Sequence, residues 1–156
     1  MDVSDITKIE IKDSLCVYFT TRSGSGLHDE CTIKYSDTPH PDFTDAWMEV
    51  RDVVMGLFPE TWKDSTDGIL CSISKNFKKN SGYFYSAKIK LLFTDGRFAD
   101  GVELNVKNIP EFEDEGISEV VSNLWDETIA YINGKRAQTV LQFDGGKQEL
   151  PKASTD

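Results

Sequence analysis

The chain has 156 residues and carries 27 Asp and Glu against 17 Lys and Arg, a formal net charge of −10 at pH 7. Charge of that sign and size repels nucleic acid and favours basic partners. A hydrophobic fraction of 38%, with nine Phe, five Tyr and three Trp, supports a packed core without metal or disulfide staples.

The strand signals come first. Residues 6–22 and 29–36 read as strands, because Ile9, Ile11, Leu15, Val17 and Phe19, then Cys31, Ile33 and Tyr35, alternate with polar neighbours. Asp13-Ser14 is expected as a turn or bulge, and Ser23-Gly24-Ser25-Gly26 as a loop. Pro39-His40-Pro41-Asp42 marks a break followed by a helix start, since proline suits a first helical turn whose N–H groups are unpaired. Phe43, Ala46, Trp47, Val50, Val54 and Leu57 then recur at helical spacing until Pro59.

Residues 60–67 read as a polar loop. Ile69, Cys71 and Ile73 mark a strand, and 75–82 a basic, polar connection. Residues 83–94 form a long strand that ends at Asp95-Gly96, a hairpin signal. Its expected partner is 97–107, with Val102, Leu104 and Val106 on one face and Gly101 as a bulge. An acidic stretch, 111–116, leads into a second helix whose apolar face is Ile117, Val120, Val121, Leu124, Ile129 and Ile132, closed by Gly134. From Gln138 the apolar periodicity fades.

These elements predict an α+β fold: an antiparallel sheet built from two hairpin-rich halves, with two amphipathic helices packed on one face. Trp47, Val50, Val54, Val121 and Leu124 are expected inside. A single domain over 1–137 and a flexible tail over 138–156 follow. The order of strands then helix, repeated, suggests a pseudo-repeat by pattern alone.

Chemistry-bearing motifs are sparse. Cys16, Cys31 and Cys71 are odd in number and widely spaced, so they are expected as free thiols of a cytoplasmic protein. The first residues lack the basic start and apolar stretch of a secretory leader, and no apolar run approaches the roughly 20 residues that cross a bilayer. A soluble protein in a bacterial or host-cell cytoplasm, with no membrane partner, is the expectation. With two histidines, no plausible triad and no HExxH, EF-hand or P-loop spacing, neither catalysis, a cofactor nor a metal site is expected.

Carboxylates are the distinctive feature. At 100° per residue, Asp42, Asp45, Glu49 and Asp52 fall within a sector of about 80° on the first helix, opposite its apolar face. The helix dipole accounts for Asp42 and Asp45 in the first turn but not for Glu49 and Asp52. Regularly spaced carboxylates can imitate a phosphate backbone. A second cluster, Glu111, Phe112, Glu113, Asp114 and Glu115, precedes the second helix and places an aromatic within acid. Both are candidate contact surfaces for a basic host protein, the alternative being a solvated face. A competing region interleaves Lys75, Lys78, Lys79 and Lys88 with Tyr83 and Tyr85, a pattern that suits single-stranded nucleic acid. The net charge opposes that reading. Oligomeric state stays open.

The segment Ser36-Asp37-Thr38-Pro39-His40-Pro41-Asp42-Phe43, with Ala46 and the aliphatic helix after it, resembles a stretch of about 25 residues in small phage-encoded proteins of unassigned function. The resemblance implies a phage or prophage origin and no mechanism. It suits an accessory or anti-defence inhibitor whose acidic faces occupy a nucleic-acid-binding surface.

Overall fold

A computed structural model describes residues 6–22, 28–63, 66–78, 82–96, 98–110 and 114–137. Period-two alternation near the start resolves into two strands, β1 (Ile6–Ile11) and β2 (Leu15–Arg22), joined by a turn at 12–14. A third strand, β3 (His28–Tyr35), pairs antiparallel along the whole of β2. Then come α1 (Pro41–Gly56), a one-turn helix α2 (Glu60–Lys63), and three more strands, β4 (Thr66–Lys78), β5 (Gly82–Phe93) and β6 (Val102–Val106). Helix α3 (Glu115–Ile132) follows.

All six strands form one antiparallel sheet in the order β3-β2-β1-β4-β5-β6. Each half is a three-stranded meander followed by a long helix. The first strand of each half lies at the centre, where Lys8, Ile9 and Glu10 of β1 face Ser74, Ile73 and Ser72 of β4. The expected pseudo-repeat is thus present in the topology.

Alternation sorts the two faces. Ile9, Val17, Ile73, Ala87 and Ile89 are buried on one side. Their neighbours Lys8, Glu10, Tyr18, Ser74, Ser86 and Lys88 point to the other. Helices α1 and α3 pack side by side over the apolar side. From α1, Phe43, Ala46, Trp47, Val50 and Val54 are buried; from α3, Val121, Leu124, Trp125, Thr128 and Tyr131. All five residues expected inside, Trp47, Val50, Val54, Val121 and Leu124, are in this core.

The helix ends follow local chemistry. His40 caps α1: its Nδ1 accepts from the Asp42 N–H at 3.1 Å, and Pro41 occupies the first helical position. Asp114 caps α3 by accepting from the N–H groups of Gly116 (2.9 Å) and Ile117 (3.3 Å). At the other end Gly134, with φ at 111°, allows the Lys135 N–H to reach the Ala130 carbonyl at 2.9 Å and its own N–H to reach that of Tyr131 at 3.0 Å.

Several boundaries differ from the sequence reading. Residues 75–78 continue the strand: β4 runs on to Lys78, which pairs with Gly82 at the start of β5, and 79–81 lie outside the described residues. Within 60–67 lie the short helix α2 and the start of β4. Leu57 is the C-cap of α1 and 40% exposed, so it does not join the apolar face. Asp95-Gly96 opens a longer connection, and β6 begins only at Val102. Gly101 closes that connection with φ at 80°, and a Cβ there would lie 2.9 Å from the Leu91 carbonyl oxygen. Register shifts fall instead between Leu70 and Ser72, which makes Cys71 the extra residue of a bulge in β4, and between Ile6 and Lys8 of β1. The expected tail, 138–156, lies outside the described residues.

Candidate docking surface

The two long helices form the layer on one side of the sheet, and their outer surface is acidic. Helix α1 carries Asp42, Asp45, Glu49 and Asp52, all exposed. Helix α3 adds exposed Glu115, Glu119 and Asp126 and half-buried Glu127. The only basic side chain within either helix is Arg51. The polar face of the sheet is mixed in charge: Lys88 lies opposite Asn105, Lys90 opposite Glu103, and Lys8 beside Glu10. Charge is therefore segregated by layer.

Two of the four stripe carboxylates are paired. Lys135, just beyond α3, donates to Asp42 Oδ2 at 2.8 Å and to Glu127 Oε1 at 3.0 Å, tying the start of α1 to the end of α3. Arg51 donates to Asp52 Oδ1 at 2.9 Å and to the Gly68 carbonyl at 2.9 Å, and also binds Asp67. Asp45 and Glu49 form no ion pair among the described residues. They stand four apart on one helix, an arrangement that costs a few tenths of a kcal/mol in mutual repulsion. Exposed Met48 lies between them in sequence and beside the acidic strip on the helix surface.

The Asp42–Lys135 contact has a titration signature. The hydrogen bond from Lys135 holds the Asp42 carboxyl below its ordinary value of 3.8, against an opposing effect of desolvation. The bonds to Asp42 and then Glu127 raise the Lys135 ammonium above its ordinary 10.5. Asp42's contribution to stability is therefore present above the ordinary aspartate range and lost as pH falls through its lowered folded value. Lys135 contributes below its ordinary value and loses that contribution as pH rises through the raised one. Replacing Lys135 with Met is expected to bring Asp42 back up toward 3.8, followed by the NMR shift of its carboxyl carbon. An Asp42 titration unchanged in that variant contradicts the pairing.

The second acidic cluster is divided. Asp114 is engaged as the α3 cap and Glu115 is exposed in the first turn, whereas Glu111, Phe112 and Glu113 lie outside the described residues.

The described part of the basic and aromatic region is divided between the two faces of the sheet. Tyr85 is buried in the core, its ring 5.0 Å from that of Trp125. Lys75 shares Tyr85's side of the sheet and sits 4.4 Å over the Tyr83 ring. Lys88 points to the opposite face, as strand alternation requires. Lys79 and the Lys78 side chain lie outside the described residues. A stacking platform needs aromatic faces and cations on one side; among the described residues Lys75 and Tyr83 meet that condition, whereas Lys88 and the buried Tyr85 do not.

Cys16, Cys31 and Cys71 are free and half-buried. Burial first, then the Glu103 charge, pushes the Cys71 thiol up, which keeps it protonated at neutral pH. Among the described residues no three His, Cys, Asp or Glu side chains gather closely enough to hold a metal ion. No described helix is long and apolar enough to cross a membrane.

One further feature lies beside the start of α1. The 12–14 turn, the end of β3 and the first turns of α1 enclose a cleft of about 380 Å³. Its lining comes from two parts of the chain, 11–15 and 35–47, which the fold brings together. Comparison with protein-family models, curated proteins and solved structures found no match.

Proposed function

We propose that the chain is a non-enzymatic protein-binding module whose acidic helical layer docks on a basic, nucleic-acid-binding surface of a host protein. The observation that carries this reading is the charge segregation: eight carboxylates and one basic side chain on α1 and α3, with Asp45 and Glu49 left without an ion pair among the described residues. A merely solubilising face has no need to keep uncompensated like charges at i,i+4 spacing. The phage-like segment Ser36–Phe43 runs directly into α1, so the resemblance and the acidic strip share one helix. On this reading the protein is a phage accessory or anti-defence inhibitor.

The mechanism is electrostatic. A field of one sign steers a partner of the other and raises the association rate. Once seated, the carboxylates occupy the positions of phosphates, and nucleic acid is excluded. Salt weakens such a complex.

The test is capture by cross-linking from host lysate, with the wild type and the Asp45→Lys/Glu49→Lys variant side by side. Both substitutions are on exposed helix positions, where stability changes stay within about 0.5 kcal/mol each. The expected result is a basic protein held by the wild type and lost by the variant. Equal recovery by both, or recovery by neither, contradicts the proposal.

A further inference from the structure

We infer that the cleft beside α1 receives an arginine side chain of the partner, an inference that rests on the docking reading above. The cleft has the lining a guanidinium needs. Its floor is apolar and aromatic, with Leu15, Tyr35, Phe43 and Trp47. Its rim carries two carboxylates, Asp13 and Asp37, and no basic side chain is among the described residues that line it. Within the lining, the Ser14 hydroxyl oxygen is buried with no hydrogen-bond partner. That oxygen is closed to solvent, so an N–H donor entering the cleft reaches it, and satisfies it, only as the 12–14 turn shifts.

The molecule shows what chemistry this wall accepts. Arg136 lies just outside the cleft, its guanidinium carbon 3.7 Å over the Tyr131 ring and 5.7 Å from the Tyr35 ring. Its Nε donates to Asp37 Oδ2 at 3.4 Å. Tyr35 and Asp37 thus already contact one guanidinium and also line the cleft. Planar guanidinium groups stack on aromatic faces and bind carboxylates with two N–H donors, which an ammonium does less well.

Position adds long-range steering only. From α1 the cleft is lined by Phe43, Thr44 and Trp47, which lie round the helix from Asp45 and Glu49 and not on the acidic strip itself. The charges on the helix would steer the partner, and the cleft would anchor one of its side chains, in the manner of a buried hot spot.

Benzamidine, benzamide and benzoate share one shape and differ in charge, so they test the inference without the partner. Each is titrated into the ¹⁵N-labelled full chain and followed by NMR. Benzamidine is expected to move the Ser14, Tyr35 and Thr44 amides and a tryptophan indole signal. It should bind about tenfold more tightly than benzamide, the margin of a charge-assisted over a neutral hydrogen bond. Asp13→Asn and Asp37→Asn should each weaken it, and Ser14→Ala should weaken it with the rim charges intact. No shift at these signals, equal binding of benzamide or benzoate, or benzamidine binding unchanged in all three variants overturns the inference. The docking reading fails separately: Asp45→Lys/Glu49→Lys leaves the cleft residues in place, so loss of that reading shows in the cross-linking result and not in the benzamidine titration.

Discussion

Replacing Trp125 with Ala is expected to cost about 3–5 kcal/mol of folding stability, the range for removing a large buried aromatic. The ring is 1% exposed and packs edge-on against Tyr85 at 5.0 Å. Its Nε1 donates to the Ile6 carbonyl at 3.1 Å. That bond joins the last helix to the first strand and so closes the two halves of the fold on each other. Trp125→Phe separates the contributions: most of the apolar contact stays, and the carbonyl loses its partner, for about 1 kcal/mol plus the lost volume. Urea denaturation measures both. A loss under about 1 kcal/mol for the alanine variant contradicts the packing described, since truncating a buried Phe or Trp to Ala costs about 3–5 kcal/mol.

Tyr131→Ala is expected to be of similar size, about 3–5 kcal/mol on the same grounds. This residue is 1% exposed and stands edge-on to Tyr35 at 4.9 Å. It also touches Phe43 at 6.1 Å between ring centres. Its hydroxyl donates to the Asp37 carbonyl at 2.9 Å, and Arg136 stacks on its face. It therefore backs the wall of the cleft as well as the core. Tyr131→Phe, which removes only the hydroxyl, should cost about 1 kcal/mol. In that variant the Asp37 backbone loses its anchor while the ring stays, so benzamidine binding should weaken more than stability does. An alanine variant as stable as the wild type contradicts the burial of the ring.

Much of the fold could be read from spacing because the buried faces obey simple periods. Phe43, Ala46, Trp47, Val50 and Val54 needed only the helical repeat, and Gly134 needed only the left-handed geometry that follows a helix. The strand character of 75–78 is hidden from the sequence for a physical reason. There the β4–β5 hairpin carries Lys75, Asn76 and Lys78, with Phe77 83% exposed, so its hydrophobic alternation is lost although its backbone ladder continues. Trp125 and Tyr131 were passed over because an aliphatic face explains α3 without them. Aliphatic Ile117, Val120, Ile129 and Ile132 are instead partly buried at the edges of that face.

The acidic strip was legible as a helix sector, but its neutralisation was not. Asp42 and Lys135 are 93 residues apart and meet only because α1 begins where α3 ends. The same holds for the cleft, whose walls come from 11–15 and 35–47. The basic and aromatic set looked continuous because it is continuous in sequence. Strand alternation then sent Lys88 to one face and Tyr85 to the other.

The docking account is tested most directly by competition on the captured partner. The partner is loaded with a fluorescently labelled nucleic acid, and its anisotropy is followed as this protein is added. The expected result is complete displacement by the wild type, weakened by added salt, and little displacement by Asp45→Lys/Glu49→Lys at the same concentrations. Formation of a ternary complex, with the nucleic acid retained while this protein binds, contradicts the account.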